Sequence, residues 1–201
     1  MNTVTFRNFE ERDIDFIHRC KNDERLNSMI VGDYHPFSYE ESVKWVHGCM
    51  GEHETYKFWA ICTNDSEKGI IGWISISNID IVNNSACFHG LVIGDPNYRD
   101  GSAWVESYII LLKIAFEQMK LNRLYGTYLP NHIMTKSIAN SVYFVTEGMY
   151  RQSTIKNGKY CDEVFASLLA SEYFDHKNKG DYTYNSISRR LIKELKKNRQ
   201  G

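Results

Sequence analysis

Residues 88–121 read FHGLVIGDPNYRDGSAWVESYIILLKIAFEQMKL, and this stretch decides how the chain folds. An apolar run ends at Ile93–Gly94, a short loop with one Pro, one Arg and one Gly follows, and a helical pattern runs from about Ala103 to Lys120. A strand, a tight loop and a helix in this order place backbone N–H groups at the positive end of a helix dipole. Such a turn binds anions, most often phosphate. The stretch therefore predicts a phosphate-binding loop, which is typical of an enzyme with a phosphorylated cofactor.

Length and composition predict one domain of ordinary size with an appendage. The 201 residues are 42% hydrophobic and 13% aromatic, which is enough for a packed core. No apolar run reaches the length of a membrane span, and the formal net charge of -1 gives no bulk attraction to nucleic acid or membrane. The charge is uneven, because residues 176–201 hold eight Lys and Arg against two Asp and Glu. The acidic remainder suits a cationic or amine-bearing substrate, and a solvated acidic surface is the more common explanation of such a charge.

The five cysteines and seven histidines do not show the spacing of a disulfide framework or a zinc site. The cysteines are odd in number, and none forms a C-x-x-C pair. The segment Met1–Phe6 does not begin a signal peptide. These features predict isolated thiols in a reducing cytoplasm and no metal site.

Patterning in the rest of the chain predicts the element order β-α-α-β-β-β-α-β-α-β-β. Asp13 is the predicted cap of the first helix, and Ser38 with Glu41 forms a capping box for the second. Asn157–Gly158 is the strongest hairpin signal. This order implies an α/β (α+β) fold with a mixed, mostly antiparallel central sheet and helices on both faces. The predicted strands are Thr3–Asn8, Lys57–Thr63, Ile70–Asn78, Ser85–Gly94, Leu124–Leu129, Arg151–Lys156 and Glu163–Leu169, and the later helices are Ala103–Lys120, Thr135–Phe144 and Ser186–Arg199.

Three further segments carry a family resemblance: FRNFEERDIDFIHRCKND near the start, LNRLYGTYLPN after the long helix, and YFVTEGMYRQSTIKNGKYCDEVFASLLASEYF near the end. With the element order, they resemble the GNAT-superfamily acetyl-CoA-dependent N-acetyltransferases. The ending resembles the ribosomal-protein-alanine and amino-sugar acetyltransferase branch. The resemblance implies the GNAT acyl-CoA N-acyltransferase fold over residues 1–174. A linker at Asp175–Tyr184 and a basic amphipathic C-terminal helix would complete the chain over 175–201.

The resemblance implies acetyl-CoA as the cofactor, with its pyrophosphate in the loop after Gly94. The family loop reads R/Q-x-x-G-x-G/A, and here Gly101 and Ala103 fill the glycine slots only if the loop is one residue shorter. In the longer register Ser102 and Trp104 take those slots, and the indole would crowd a backbone that must approach the phosphate. The cofactor-binding residues that the resemblance implies are Leu91, Val92, Ile93, Arg99, Asp100, Gly101, Ser102, Ala103 and Asn131.

Acetyl transfer requires an acceptor for the amine proton and donors for the oxyanion that develops. By resemblance the donors are backbone N–H groups of Leu91–Ile93. His89 lies on the same strand, and because an imidazole titrates near neutral pH it is the candidate base. A histidine packed on the sheet face is the alternative. Cys87 shares the side of His89 and would permit an acyl-cysteine, with an inert buried thiol as the alternative.

The family's usual tyrosine acid would fall on Ile138 or Ala139, where this chain has no hydroxyl. Tyr143 is the substitute candidate for protonating the leaving thiolate, and a place in the apolar core is its alternative. Substrate specificity is predicted in the first interhelical loop, Asn27–Phe37. The candidates there are Asp33, Tyr34 and His35, for which a plain surface turn is the alternative.

The predicted function is transfer of an acetyl group from acetyl-CoA to a small-molecule primary amine by direct attack in a ternary complex. An amino sugar or its nucleotide derivative is the predicted acceptor. A protein N-terminal acetyltransferase, a catalytically silent acyl-CoA-binding module and an interaction protein with an RNA-binding tail are the alternatives. No nucleic acid partner and no membrane span are expected, and a homodimer is left open.

Overall fold

The computed structural model describes residues 4–63 and 69–200, and it contains one seven-stranded sheet. The strands are β1 Val4–Arg7, β2 Lys57–Thr63, β3 Ile70–Asp80, β4 Ser85–Ile93, β5 Arg123–Tyr128, β6 Val145–Lys156 and β7 Lys159–Leu169. Their order across the sheet is β1-β2-β3-β4-β5-β7-β6. Only β4 and β5 run parallel; the other neighbours are antiparallel. The predicted mixed, mostly antiparallel sheet is confirmed, and its single parallel junction lies at its centre.

Helices cover both faces of the sheet. They are α1 Ile14–Lys21, α2 Glu24–Asn27, α3 Tyr39–Cys49, α4 Ser102–Lys113, α5 Ile133–Ser141, α6 Ala170–Asn178 and α7 Tyr184–Gln200. A first hydrophobic core contains residues of α4, α5 and α7, and a second contains residues of α1 and α3. Because these helices pack on different sides of the strands, the two cores lie on opposite faces of the sheet.

Within the described part of the chain, no helix is both long and apolar enough to cross a membrane.

Local signals predicted several element boundaries correctly. Ser38 and Glu41 form the predicted capping box at the start of α3. Asn157 and Gly158 have φ values of 51° and 69°, which is the left-handed backbone that a two-residue hairpin requires. The long helix ends differently from the prediction, because α4 passes into a π-helical turn at Ile114–Gln118. The first strand is Val4–Arg7, and the predicted Thr3 lies outside the described residues.

Asp13 does not cap α1 as predicted. Its carboxylate accepts hydrogen bonds from both terminal nitrogens of Arg7 at 2.7 Å and from the backbone N–H of Glu10 at 2.9 Å. It is 1% exposed, and the hydrogen bond to this carboxylate raises the pKa of Arg7. A bidentate arginine thus outcompetes the helix N-terminus for this carboxylate. The pair joins the end of β1 to the start of α1.

The C-terminal segment is more closely packed than the sequence suggested. Asp175–Asn178 belongs to α6, so the predicted linker at Asp175–Tyr184 is wrong for these four residues. Helix α7 inserts Ile187 and Leu191, 0% and 5% exposed, into the first core. Its amphipathic pattern therefore serves packing on one face. The division of the chain at residue 174 stays a prediction.

Candidate active site

The sheet opens between β4 and β5. The two strands pair only where Ser85–Cys87 meets Arg123–Tyr125, and beyond this point β5 pairs with β7 alone. A cleft of about 440 Å³ lies at the opening. Leu91 and Tyr108, which line it, pack with the first core, whereas Trp73 belongs to the second. The cleft therefore reaches both faces of the sheet.

A β-bulge in β4 sets the direction of His89. Ser75 pairs with Gly90 and the next residue, Ile76, pairs with Phe88, so His89 is the extra residue. Phe88 and Leu91 both pack against the first core, which turns the two residues between them toward the other face. Gly90 has a φ of 136°, which favours glycine. His89 is exposed in the cleft on the face that carries α1 and α3.

The bulge also directs the backbone of β4. The N–H of Gly94 donates to the carbonyl of Ile71 at 2.8 Å, and antiparallel pairing alternates from there. This alternation turns the N–H groups of Leu91 and Ile93 away from β3 and toward the opening. The carbonyl of Ile93 points the same way, because it accepts a hydrogen bond from Arg99. Of the predicted donors Leu91–Ile93, the N–H groups of Leu91 and Ile93 therefore point toward the opening, whereas the N–H of Val92 points to β3, and their role as donors stays a prediction.

We distinguish two halves of this cleft by the face on which the lining residues lie. The α4 half is apolar and includes Leu91, Trp104, Tyr108, His132, Ile138 and Ala139. The α1 half includes Lys21, Met29–Val31, Trp45, Trp73, Ser75, His89 and Glu163. Glu163 lies in this half because the residue after it on β7, Val164, packs against the first core, and side chains alternate along a strand. The two halves meet where β4 and β5 separate.

The loop after β4 holds itself together with its own polar groups. Arg99 donates to the carbonyls of Ile93 and Gly94 at 2.9 and 2.6 Å, which fixes the end of β4. The carboxylate of Asp100 accepts hydrogen bonds from the hydroxyl and the N–H of Ser102, and these lower its pKa. The predicted contacts of these three residues with a CoA phosphate stay a prediction.

Gly101 begins α4 with a φ of 100°, a conformation that glycine adopts without strain. Ala103 is 1% exposed and packs in the first core. Both placements favour the shorter loop, in which Gly101 and Ala103 fill the two glycine slots of the family motif. Gly101 lies where the backbone requires glycine, and the small side chain of Ala103 is buried. Trp104 does not crowd the loop. Its ring packs against the first core and lines the α4 half.

The indole Nε1 of Trp104 is buried without a hydrogen-bond partner among the described residues. A buried donor left unpaired is costly, and a ligand in the cleft whose acceptor reached this nitrogen would offset that cost. The apolar walls, this donor and the N–H groups of Leu91 and Ile93 fit a chain with amide carbonyls, such as the pantetheine arm of acetyl-CoA. The α4 half is therefore compatible with the predicted cofactor.

Helix α5 brings His132, rather than Asn131, to the cleft. His132 is the N-cap of α5, and its Nδ1 accepts the N–H of Thr135 at 3.3 Å. Burial lowers its pKa, so the ring is neutral and carries its proton on Nε2. Asn131 is exposed and does not line the cleft. The family resemblance pointed to Asn131, and no signal in the sequence marked His132, the residue that follows it.

Tyr143 lies away from the cleft. It follows α5 with a φ of 69°, and its ring stacks on His176 with the centroids 3.5 Å apart. The guanidinium carbon of Arg190 is 4.5 Å from the ring centroid. The left-handed backbone thus turns Tyr143 toward α6 and α7, and its predicted role as the acid has no support from this geometry.

The first interhelical loop reaches the cleft through different residues from those predicted. The ammonium of Lys156, at the tip of the β6–β7 hairpin, donates to the carbonyls of Asn27, Ile30 and Gly32 at 2.8 to 2.9 Å. Asp33 accepts the N–H of Asn157 at 2.9 Å. With the loop held in this way, Met29, Ile30 and Val31 line the cleft, whereas Asp33, Tyr34 and His35 do not.

Lys21 was not predicted as a site residue, yet it is the cation of the α1 half. Its Nζ lies 4.4 Å from the ring centroid of Trp45, 5.2 Å from Phe37 and 5.5 Å from Trp73. Burial lowers its pKa. No periodicity marks such a residue, because the three rings come from distant parts of the chain. Glu163, 8% exposed, is the carboxylate of the same half and accepts a hydrogen bond from Ser153.

The thiol of Cys87 lines the cleft beside these groups. Burial raises its pKa, which disfavours the thiolate that an acyl-cysteine would need. All five cysteines, each within the described ranges, are free. The described residues contain no cluster of three His, Cys, Asp or Glu side chains that could hold a metal ion.

Comparison with known proteins places this fold and cleft in a family. Residues 3–145 match the model of the acetyltransferase (GNAT) domain. Because the match covers more than half of the chain, the protein belongs to the GNAT acetyltransferase family. The expectation of an acetyl-CoA-dependent N-acetyltransferase is confirmed at the level of the family.

Individual relatives are more distant. An uncharacterized N-acetyltransferase, YnaD, of Bacillus subtilis (strain 168) is 24% identical over 79 residues. That match spans 39% of this chain and 46% of the relative, so it covers less than half of either protein. It supports the family and does not identify a substrate.

Three solved structures share the fold. A spermidine N-acetyltransferase from Vibrio cholerae, in complex with CoA and spermine, has a TM-score of 0.75 at 20% identity and covers 87% of this chain and 99% of its own. A GNAT-family acetyltransferase from Bacillus anthracis has a TM-score of 0.73 at 21% identity, covering 85% and 96%. A GCN5-related N-acetyltransferase from Brucella melitensis has a TM-score of 0.75 at 16% identity, covering 91% and 84%. At these identities the likeness shows the fold alone.

Proposed function

We propose that this protein transfers an acetyl group from acetyl-CoA to the primary amine of a small molecule, by direct attack in a ternary complex. The observation that carries this proposal is the cleft that opens on both faces of the sheet at the separation of β4 and β5. A thioester in the α4 half and an amine in the α1 half meet at that opening. Bringing two reactants together in this way lowers the entropic part of the barrier.

The α4 half holds the acetyl donor in this proposal. Acetyl-CoA supplies the activated acetyl group, and the loop at 95–103 lies at the end of the cleft for its phosphates. The N–H groups of Leu91 and Ile93 face the opening, where they donate to amide carbonyls and to the acetyl oxygen as it becomes negative. The Trp104 Nε1 adds a buried donor.

His89 is the proposed proton acceptor. The bulge exposes it in the α1 half, next to the opening at which the amine attacks. An imidazole in this position can accept the ammonium proton before or during attack. Direct attack is favoured over an acyl-cysteine, because the buried Cys87 thiol resists ionisation. No acid is assigned, since Tyr143 lies outside the cleft.

A small acceptor, such as an amino sugar or its nucleotide derivative, suits the α1 half. The loop residues Met29–Val31 line this half and are held by Lys156. The aromatic side chains of Trp45, Phe58 and Trp73 provide flat apolar walls. A cleft of about 440 Å³ must accommodate both the thioester and the acceptor. This limited space favours a compact amine over a protein N-terminus.

The proposal is tested with acetyl-CoA calorimetry followed by thiol release across a panel of primary amines. Binding of acetyl-CoA and amine-dependent release of CoA thiol are expected. Binding without release for any amine would instead indicate a catalytically silent module. An absence of binding at millimolar acetyl-CoA would contradict the whole proposal.

Replacing the base tests the role of His89. His89→Gln should lower kcat by about 10²- to 10⁴-fold, because that is the usual contribution of general acid–base catalysis. The rise of the pH–rate profile through neutrality should also disappear. Cys87→Ser is the matched control from the same strand and should keep both features. A His89→Gln profile that is unchanged in shape would remove this assignment.

A further inference from the structure

The α1 half carries a cation that no other side chain of the described residues neutralises. Lys21 is the last residue of α1, and its ammonium faces the rings of Phe37, Trp45 and Trp73. Among the described residues, Lys21 forms no ion pair and no hydrogen bond through its Nζ. The neighbouring groups that act on it electrostatically are thiols, which are neutral in this setting. The ammonium of a half-buried lysine that lines a cleft in this way is an incomplete site.

The three aromatic rings around Lys21 do not by themselves explain why a charge lies there. Cation–π contacts are individually weak, and they compete with the cost of removing an ammonium from water. Three other lysines of the described residues pair with carboxylates, as Lys44 does with Glu40 at 2.9 Å. Lys21 instead lies where a ligand can reach it.

The other charged groups of the cleft define what that ligand must carry. Glu163 is the carboxylate in the α1 half, and His89 and His132 are the imidazoles in the cleft. Glu163 acts electrostatically on Cys87, so it lies close to the part of β4 just before the bulge. One fixed cation and one fixed carboxylate therefore line the same half, on α1 and on β7.

We infer that the acceptor is a primary amine that also bears an anionic group, a carboxylate or a phosphate, and that Lys21 binds this anion while Glu163 faces the amine. This inference rests on the proposed acetyl transfer and narrows its substrate class. An anion beside Lys21 supplies the missing opposite charge. A polyamine, which has only positive charges, would meet a like charge at this position.

The experiment compares matched pairs of amines that differ in the anion. Glucosamine 6-phosphate against glucosamine tests a phosphate, glycine against glycinamide tests a carboxylate, and spermidine tests a polycation. The protein should prefer the anionic member of at least one pair by about 10- to 100-fold in kcat/KM. This is the fold-change that a hydrogen bond between charged groups usually contributes. Lys21→Met should remove this preference through KM, and Lys21→Arg should keep most of it. Lys44→Met is the control for a lysine outside the cleft.

A second measurement keeps the two proposals separate. Glucose 6-phosphate has no amine, so its binding, measured by calorimetry in the presence of CoA, reports the anion site without the chemistry. Binding to the unaltered protein that is lost in Lys21→Met supports the inference even if no amine reacts. Equal kcat/KM within both pairs, or a preference unchanged in Lys21→Met, would overturn it while acetyl transfer stands. If Lys21→Met only lowers the melting temperature and acts equally on both pair members, the residue is structural and the inference is wrong.

Discussion

The two halves of the cleft are built by different means. Much of the α4 half is made by neighbouring segments, because the end of β4, its loop and the first turns of α4 follow one another along the chain, and α5 adds His132, Ile138 and Ala139. Its polar groups include backbone N–H groups, one indole and the imidazole of His132. The α1 half is assembled from distant segments that include Lys21, Trp73 and Glu163, and it holds fixed charges of both signs. The α4 half thus suits a cofactor, and the α1 half suits an amine substrate that is selected by its charges.

This difference indicates that the α1 half determines substrate specificity. Backbone donors recognise a shape that many sequences can provide, so the α4 half tolerates an irregular loop. Charged side chains that lie 142 positions apart, such as Lys21 and Glu163, recognise one particular arrangement of charge. Substitutions should therefore separate into those that affect both halves, one half or neither.

A substitution that displaces the end of β4, which contributes to both halves, should have the largest effect. A Cβ added at Gly72 would lie 2.1 Å from the carbonyl oxygen of Val92, so Gly72→Ala must displace the end of β4. We expect the free energy of unfolding to fall by about 3 kcal/mol or more, and both ligands to be lost. Gly48→Ala is the control, because an added Cβ there meets nothing within 4 Å. Urea unfolding and acetyl-CoA calorimetry measure the two effects, and a Gly72→Ala protein with normal stability would contradict the strand pairing.

Removing the hydrogen bonds between the β6–β7 hairpin and the first interhelical loop should affect the α1 half alone. Lys156→Met removes three hydrogen bonds to carbonyls of the first interhelical loop. We expect a loss of about 2 kcal/mol in stability and a raised KM for the amine, since the loop that bears Met29–Val31 is released. The Kd for acetyl-CoA should not change. Steady-state kinetics with calorimetry tests this separation, and an equal weakening of both ligands would show that the halves are not independent.

Removing the orphaned donor should affect the α4 half alone. Trp104→Phe keeps an aromatic ring against the first core and deletes Nε1. The Kd for acetyl-CoA should rise by about 5- to 10-fold, which is the usual value of one hydrogen bond, while KM for the amine stays constant. Trp59→Phe is the matched control, because Trp59 stacks on Phe6 and does not line the cleft. Calorimetry showing equal Kd values for the two variants would remove Trp104 from the site.

An ion pair outside the cleft should have the smallest effect. Arg123 donates to the carboxylate of Glu147, which lowers the Glu147 pKa from 4.5 to about 2, with a further contribution from Ser167. A depressed carboxylate pKa stabilises the fold above pH 4.5, and this contribution is lost as the pH falls toward 2. The side chains are 27% and 36% exposed, so solvent screening limits it to under about 1 kcal/mol. Arg123→Gln should flatten the stability profile between pH 4.5 and 2 without changing either ligand, and an altered KM would contradict this.

Sequence signals predicted the α4 half better than the α1 half, and the reason is physical. The loop, the long helix and the hairpin at Asn157–Gly158 are local features, whose spacing reflects turns and helix starts directly. The bulge at His89 could not be read from periodicity, because one extra residue depends on pairing with β3. Asp13 was misassigned for a similar reason, since Arg7 competes for its carboxylate.

The α1 half depends on contacts between distant residues. Lys21 reads in the sequence as an ordinary helix-end cation, and only packing places three rings around it. Glu163 reads as a strand residue next to a hairpin. Lys156 selects Met29–Val31, rather than Asp33–His35, as the part of the loop that lines the cleft. Residue types alone thus favoured the polar part of that loop, and tertiary contacts brought the apolar part to the site.

The central claim is that the two ligands occupy opposite halves of one cleft, and the four tryptophans of the chain provide the most direct test. Trp104 lines the α4 half, Trp45 and Trp73 line the α1 half, and Trp59 lines neither. A ¹⁵N–¹H NMR spectrum of the indole N–H groups follows all four at once. CoA should move the Trp104 signal and leave Trp59 in place, and an anionic amine added afterwards should move Trp45 and Trp73. Movement of Trp45 and Trp73 by CoA with Trp104 unchanged would contradict the assignment of the two halves.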